Sequence, residues 1–226
     1  MHRFVVSSVS ALVGSVASRC ESAHSPTIHD ELFDVHIPKK IAVDTGRTGT
    51  RQDLFATAHR CMNNWCFLKQ ARAYVLGIFV DSAALNRLRS HGDVSRQDVF
   101  RTDCPKSFIL YFASTKDSKH IRKGFARSFE NFIRTRDSLD MSLMARFLTV
   151  MQDRPRLTRG DFIRVSCIPA TETVIVAFND ETVVRIEKAQ GLIDWVHSLY
   201  VGVGENLTAR YAEMQEKLKL AHPPVV

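Results

Sequence analysis

Residues 54–81 read LFATAHRCMNNWCFLKQARAYVLGIFVD, two apolar runs joined at Asn63-Asn64. Paired asparagines tolerate the left-handed backbone of a tight turn, so this stretch predicts two antiparallel neighbouring strands. The second run, Arg72 to Val80, is rich in β-branched and aromatic residues and stops at Asp81-Ser82, a helix-start signal. Side chains alternate faces along a strand, which puts Tyr74 with Leu76, Ile78 and Val80. In the first run the same count puts Arg60 with Leu54, Ala56 and Ala58. Each strand thus carries one strongly polar group on a face that otherwise reads as core. An unpaired guanidinium there is costly. Two readings stand: an arginine at a strand end reaching water, or an anion receptor in which guanidinium and phenol grasp a carboxylate or phenolate.

The segment ARAYVLGIFVDSAAL resembles the strand-and-helix signature of the chalcone isomerase-like family, [V/A]-Y-A-[L/F/I]-G-[V/I]-Y-x-D. LFATAHR is similar to that family's L-x-G-x-G-x-R strand, without its glycines. PKSFILYFASTKDSKHIRKGFARSFENF resembles its strand and long helix, and DWVHSLYVGVGENLTAR its helix, turn and final helix. The resemblance runs from about Phe33 to Leu220. It implies an open-faced β-sandwich with a ligand cleft between sheet and helices.

It also allows a residue-by-residue test for ring closure. Such an isomerase holds a phenolate with an arginine and stabilises an enolate with hydroxyl and amide donors. Arg60 matches the arginine. The strand threonine corresponds to Tyr74, the helix-start tyrosine falls near Asp117, the helix asparagine near Gly124 and the late hydroxyl residue near Ile193. An acid beside an enolate would repel it, so the resemblance implies no catalytic residue. It points instead to the non-catalytic, fatty-acid-binding branch, which pairs the arginine with a tyrosine on the next strand. The implied ligand-binding residues are Arg60 and Tyr74, and the implied partner is a small hydrophobic carboxylate. The interval between them is slightly longer than in the family, and a one-residue slip would turn either side chain away. Chalcone-flavanone isomerase activity (an intramolecular lyase) is one alternative. A mitochondrial haem protein is another, with Arg60 on a propionate and His59 or another histidine on iron.

The chain has 226 residues, 45% hydrophobic and 24% charged, enough for one substantial core. No apolar run approaches the ~20 residues of a bilayer span. Nothing spells a nucleophile elbow, a phosphate-binding loop, a dinucleotide fingerprint or a zinc-ligand pair, and neither cofactor nor metal is expected. His59 and His197 read as packing or surface residues.

Residues 1–25 read as a targeting segment ahead of a single domain over 26–226. The first 20 residues hold no acid, two arginines and five serines, which fits a mitochondrial presequence. Phe4 to Ala17 with Ser15-Val16-Ala17 also fits a secretory signal and its cleavage site. Arg19 behind the apolar run favours mitochondria. The cysteines (20, 61, 66, 104, 167) are odd in number and without a framework, which suits a reducing compartment, with Cys61 and Cys66 as buried thiols. Asn206-Leu207-Thr208 reads as a helix N-cap rather than a glycosylation site.

The net charge is +7. Part of it sits in Lys116–Arg136, where Ile121, Phe125, Phe129, Phe132 and Ile133 form an apolar stripe opposite the cations. A nucleic acid or an anionic lipid surface is one reading and a solvated helix face the other; nucleic acid is not expected, for want of a stacking platform.

The remaining elements follow from pattern and punctuation. Residues 21–32 read as linker, Val35–Val43 as an edge strand with Pro38, and Asp44–Arg51 as a loop. Helix is expected over Ser82–Ser90, an irregular connection over His91–Asp103, and a buried strand over Ser107–Ala113. Helices follow over Lys116–Arg134 and Leu139–Gln152. Asp161–Ile168, Thr173–Phe178 and Thr182–Ile186 read as strands joined by tight turns, and Gln190–Tyr200 and Asn206–Leu220 as closing helices. The class is α+β: one antiparallel sheet covered on one face by helices.

Overall fold

The computed structural model describes residues 26–45, 49–61, 71–134, 141–152 and 156–201. The strands are β1 (Thr27–Asp30), β2 (Val35–Pro38), β3 (Lys40–Asp44), β4 (Gly49–Cys61), β5 (Arg72–Asp81), β6 (Lys106–Phe112), β7 (Lys116–Asp117), β8 (Arg156–Leu157), β9 (Phe162–Ile168), β10 (Thr173–Phe178) and β11 (Glu181–Ile186). The helices are α1 (Ser82–Arg89), α2 (Arg96–Arg101), α3 (Ser118–Ile133), α4 (Met141–Leu148) and α5 (Gln190–Val201). Seven strands form one antiparallel sheet in the order β11-β10-β9-β6-β5-β4-β3. It curls until Arg185 on one edge strand donates to the Thr45 carbonyl just beyond the other, at 2.7 Å.

β5 and β6 lie inside this sheet, which is why they are apolar on both faces. One face carries Leu76, Ile78, Phe108, Leu110 and Phe112 and is covered by α3, α4 and α5. Trp195 sits at the centre of that layer, edge-on to Phe125, Phe129 and Phe147 at ring distances of 6.1, 5.5 and 5.4 Å. Edge-to-face contact aligns ring quadrupoles and adds ~0.5–1.5 kcal/mol per pair beyond burial. The other face carries Val75, Phe79, Ile109 and Tyr111 beneath the β1–β2 hairpin, through Phe33 and Ile37. α1 and α2 close one end around Val80, Leu85 and Val99.

Several expectations need correction. The linker reading of 21–32 misses β1, which pairs with β2. The single strand Val35–Val43 is two strands in different sheets, broken at Lys39. β4 begins at Gly49, inside the expected loop, and α2 lies inside the expected irregular connection. That helix has a readable cause: Ser95 and Asp98 form a capping box. Asn179-Asp180 is the expected tight turn, both residues having positive φ, as a two-residue hairpin loop requires. The Asn63-Asn64 turn, residues 1–25, Asn206 and the last helix lie outside the described residues.

The cysteine reading also changes. Cys61 is disulfide-bonded, whereas Cys104 and Cys167 are buried free thiols. An odd total means that at least one cysteine is left over; it does not forbid a bridge.

Candidate functional site

β4, β5 and β6 place their helix-side residues in rows. Arg60 lies directly opposite Tyr74, and Tyr74 opposite Phe112. The next row is Ala58, Leu76 and Leu110, and the one after it Ala56, Ile78 and Phe108. Direct antiparallel partners share a face with Cβ atoms ~5 Å apart, so guanidinium and phenol are neighbours. The alanines of β4 leave that side of the strip shallow, while the rows beyond Tyr74 are apolar.

Two bulges decide which side chains join this face. Phe55 is an extra residue between the pairs Leu54–Phe79 and Ala56–Ile78. It turns Leu54 to the opposite face, contrary to the simple alternation that grouped Leu54 with Arg60. Ala73 is the extra residue between Arg60–Tyr74 and Cys61–Arg72. Arg72 is thereby turned outward, where it donates to the Leu32 carbonyl and lies over the Phe33 ring. Of two arginines near the hairpin end, only Arg60 stays on the helix side.

Arg60 is exposed and Tyr74 half-buried, edge-on to Phe112 at 6.2 Å. α5 adds Tyr200, buried and stacked on Phe108 at 5.0 Å. Burial raises the pKa of both phenols, opposed in each by the nearby Arg60 charge; for Tyr200 the neighbouring Tyr74 and Cys167 push further upward. Both are therefore protonated donors at neutral pH. Among the described residues, neither phenolic hydroxyl nor the Arg60 guanidinium has a hydrogen-bonding partner or an opposing carboxylate. Tyr200 was not singled out by sequence reasoning. The only available signal is that Ile193, His197 and Tyr200 recur at helical spacing with Ile193 and Tyr200 buried.

Further along the same face lies Lys106, fully buried, donating its Nζ to the carbonyls of Thr102 and Cys104 at 2.5 and 3.1 Å. Burial lowers its pKa. Beside it, His197 sits against Phe100 and Phe108 with ring distances of 5.5 and 5.9 Å. Its Nε2 is buried without a hydrogen bond, and burial, then the Lys106 charge, lower its pKa to about 4. Neither was selected from sequence.

The other positions matched through the resemblance are engaged elsewhere. Asp117 caps α3, accepting from the Lys119 N–H at 2.8 Å. Gly124 is exposed on α3, and Ile193 is buried in the core. His59 points away from Arg60, as adjacent strand residues must: it stacks on Phe33 and donates to Asp30 at 2.5 Å. It cannot ligate a group held by Arg60, so the haem reading loses that histidine.

The fold is chalcone isomerase-like. A crystal structure of a fatty-acid binding protein from Arabidopsis thaliana superimposes with a TM-score of 0.59 at 15% identity, covering 78% of this chain and 89% of that one. No family model matches the sequence. No curated protein matches it either.

Proposed function

We propose that this protein binds a fatty acid or a similar long-chain carboxylate between the sheet and the helices, without turning it over. The observation that carries this reading is the register: Arg60 stands opposite Tyr74 at one end of a strip whose next two rows are apolar, and no carboxylate of the described chain neutralises it. A carboxylate would take two donors from the guanidinium fork and one from the phenol. An alkyl tail along the following rows would be buried at ~0.8 kcal/mol per CH₂. The overall likeness to the Arabidopsis fatty-acid binding protein supports the same class of ligand. Ring closure has less support, because Asp117 is spent as a cap and Gly124 and Ile193 offer no donor side chain.

The test is mass spectrometry of an organic extract, followed by titration of the delipidated protein with a fluorescent fatty acid. Losing a charge-assisted hydrogen bond costs ~1.5–3 kcal/mol and a neutral one ~0.5–1.5. Arg60→Ala is therefore expected to weaken binding about 10- to 150-fold and Tyr74→Phe about 2- to 10-fold. Arg60→Ala should leave the ligand-free melting temperature about unchanged, since the exposed guanidinium has no protein carboxylate to lose. A large drop in that temperature with fatty-acid binding intact would make the arginine structural and the reading wrong. Chalcone turnover on the order of 1 per second would restore the enzyme reading. A Soret band in the purified protein would favour haem.

We further propose that residues 1–25 direct the protein to mitochondria, on their acid-free, Arg- and Ser-containing composition. The Cys61 disulfide removes the argument for a reducing compartment, because such bonds persist under oxidising conditions. A reporter carrying residues 1–30 that entered the secretory pathway would overturn the mitochondrial assignment.

A further inference from the structure

We propose that the outer face of α3 docks on the surface of an anionic phospholipid bilayer. α3 has 16 residues, about 24 Å of helix. It buries Ser118, Phe125 and Phe129. On the opposite side, Lys119, Lys123 and Arg127 follow one another at four-residue spacing, all exposed, with His120 beside them, one exposed acid, Glu130, among them, and Arg134 about two turns beyond Arg127. Among the described residues, none of Lys119, Lys123 and Arg127 has an ion pair or a side-chain hydrogen bond.

Part of this charge works against the helix's own stability. Like charges at i,i+4 repel. Lys119 stands near the start of α3, where a cation opposes the helix dipole, although the Asp117 cap at that end and the Arg134 cap at the other complement it. Gly124 adds the entropic cost of an interior helical glycine, and a Cβ there would meet nothing within 4 Å, so no close packing requires it. A helix that pairs none of these cations and packs none of them internally is best balanced by an external polyanion.

The choice of a bilayer rests on the fatty-acid reading and on where α3 begins. β6 ends at Phe112, in the row of Tyr74 and Arg60, and the chain enters α3 at Ser118. The basic face therefore starts at the end of the sheet where the carboxylate would be held. Docked there, the protein would present that end to its source of fatty acid. Nucleic acid fits less well: the large hydrophobic side chains exposed among the described residues, Ile28, Met141 and Val183, include no ring on which a base could stack.

The experiment is co-sedimentation of the full chain with phosphatidylcholine vesicles, with and without phosphatidylglycerol, over a salt series. Binding is expected only with phosphatidylglycerol, and should fade as salt rises. Removing three juxtamembrane cations in Lys119→Gln/Lys123→Gln/Arg127→Gln is expected to weaken binding about a hundredfold. The charge-matched control Arg51→Gln/Arg87→Gln/Arg89→Gln should change it by no more than about threefold. Equal losses in the two triple variants, or tighter binding to duplex DNA or RNA than to phosphatidylglycerol vesicles at the same salt, would overturn the proposal. So would loss of free fatty-acid binding, without vesicles, by the α3 variant, which would place its cations in the pocket. Vesicle binding that persists in a protein unable to bind fatty acid would leave this surface standing and defeat the ligand reading instead.

Discussion

Replacing Asp30 by alanine is expected to loosen the β1–β2 hairpin from the sheet at a cost of about 2–3 kcal/mol. The Asp30 and His59 side chains are only 14% and 22% exposed, and His59 Nε2 donates to Asp30 Oδ2 at 2.5 Å. The other carboxylate oxygen accepts from the Phe33 N–H at 3.0 Å. Two hydrogen bonds to a charged acceptor contribute ~1.5–3 kcal/mol each, reduced because removing the carboxylate also removes its desolvation cost. Asp30→Asn keeps an acceptor for Phe33 and should cost about 1 kcal/mol. Burial raises the Asp30 pKa, but the bonds from His59 and Phe33 outweigh it and the net shift is downward from 3.8. The contribution of a carboxylate with a depressed pKa is complete above its unfolded value. It is lost as pH falls through the folded one, so wild type and Asp30→Ala should converge only below about pH 4. Urea titrations at pH 7 and pH 3 give the magnitudes, and hydrogen exchange at the β1–β2 amides distinguishes local from global loosening. A difference under about 0.5 kcal/mol at pH 7, or no coupling in an Asp30/His59 double-mutant cycle, would refute the reasoning.

Gly77→Ala should destabilise the fold by about 1–3 kcal/mol in urea titration, because its Cβ would stand 2.8 Å from Phe79 Cε2 and 3.4 Å from Tyr111 Cε2, rings already packed under the hairpin. His197→Phe should stabilise by about 1 kcal/mol at pH 7, since it replaces an unpartnered buried nitrogen between two phenylalanines. Because His197 has a folded pKa of about 4 against 6.5, wild type should lose stability as pH falls from about 6.5 towards 4, by on the order of 2–3 kcal/mol, and the phenylalanine variant should lack that share of the slope. Gly124→Ala should raise the melting temperature, by the equivalent of about 1 kcal/mol, as an exposed interior helical position with open space around the new methyl.

Local chemistry made much of this fold legible. The run Arg72–Val80 reads as a strand from its branched and aromatic content, and strict alternation places Tyr74 with Leu76 and Ile78, as found. Asn179-Asp180 announces a tight hairpin because both residues tolerate positive φ. The order of elements was enough to suggest the chalcone isomerase-like fold, which the structural superposition supports at only 15% identity. α2 too has a signal in plain sequence, the capping box of Ser95 and Asp98 inside the expected irregular connection.

What alternation could not supply was register, because pairing depends on the neighbouring strand. The sequence alone determined that Arg60 and Tyr74 each sit on a strand and face one side of it. Only the tertiary structure decided that they face each other, through an extra residue at Phe55 that turns Leu54 away and another at Ala73 that turns Arg72 away. It likewise drew Tyr200 onto Phe108 from α5 and gave His59 to Asp30, 29 residues earlier in the chain. Such contacts arise when a curled sheet and its layers bury one another, and the energy that selects them belongs to the packed whole rather than to any short run of residues.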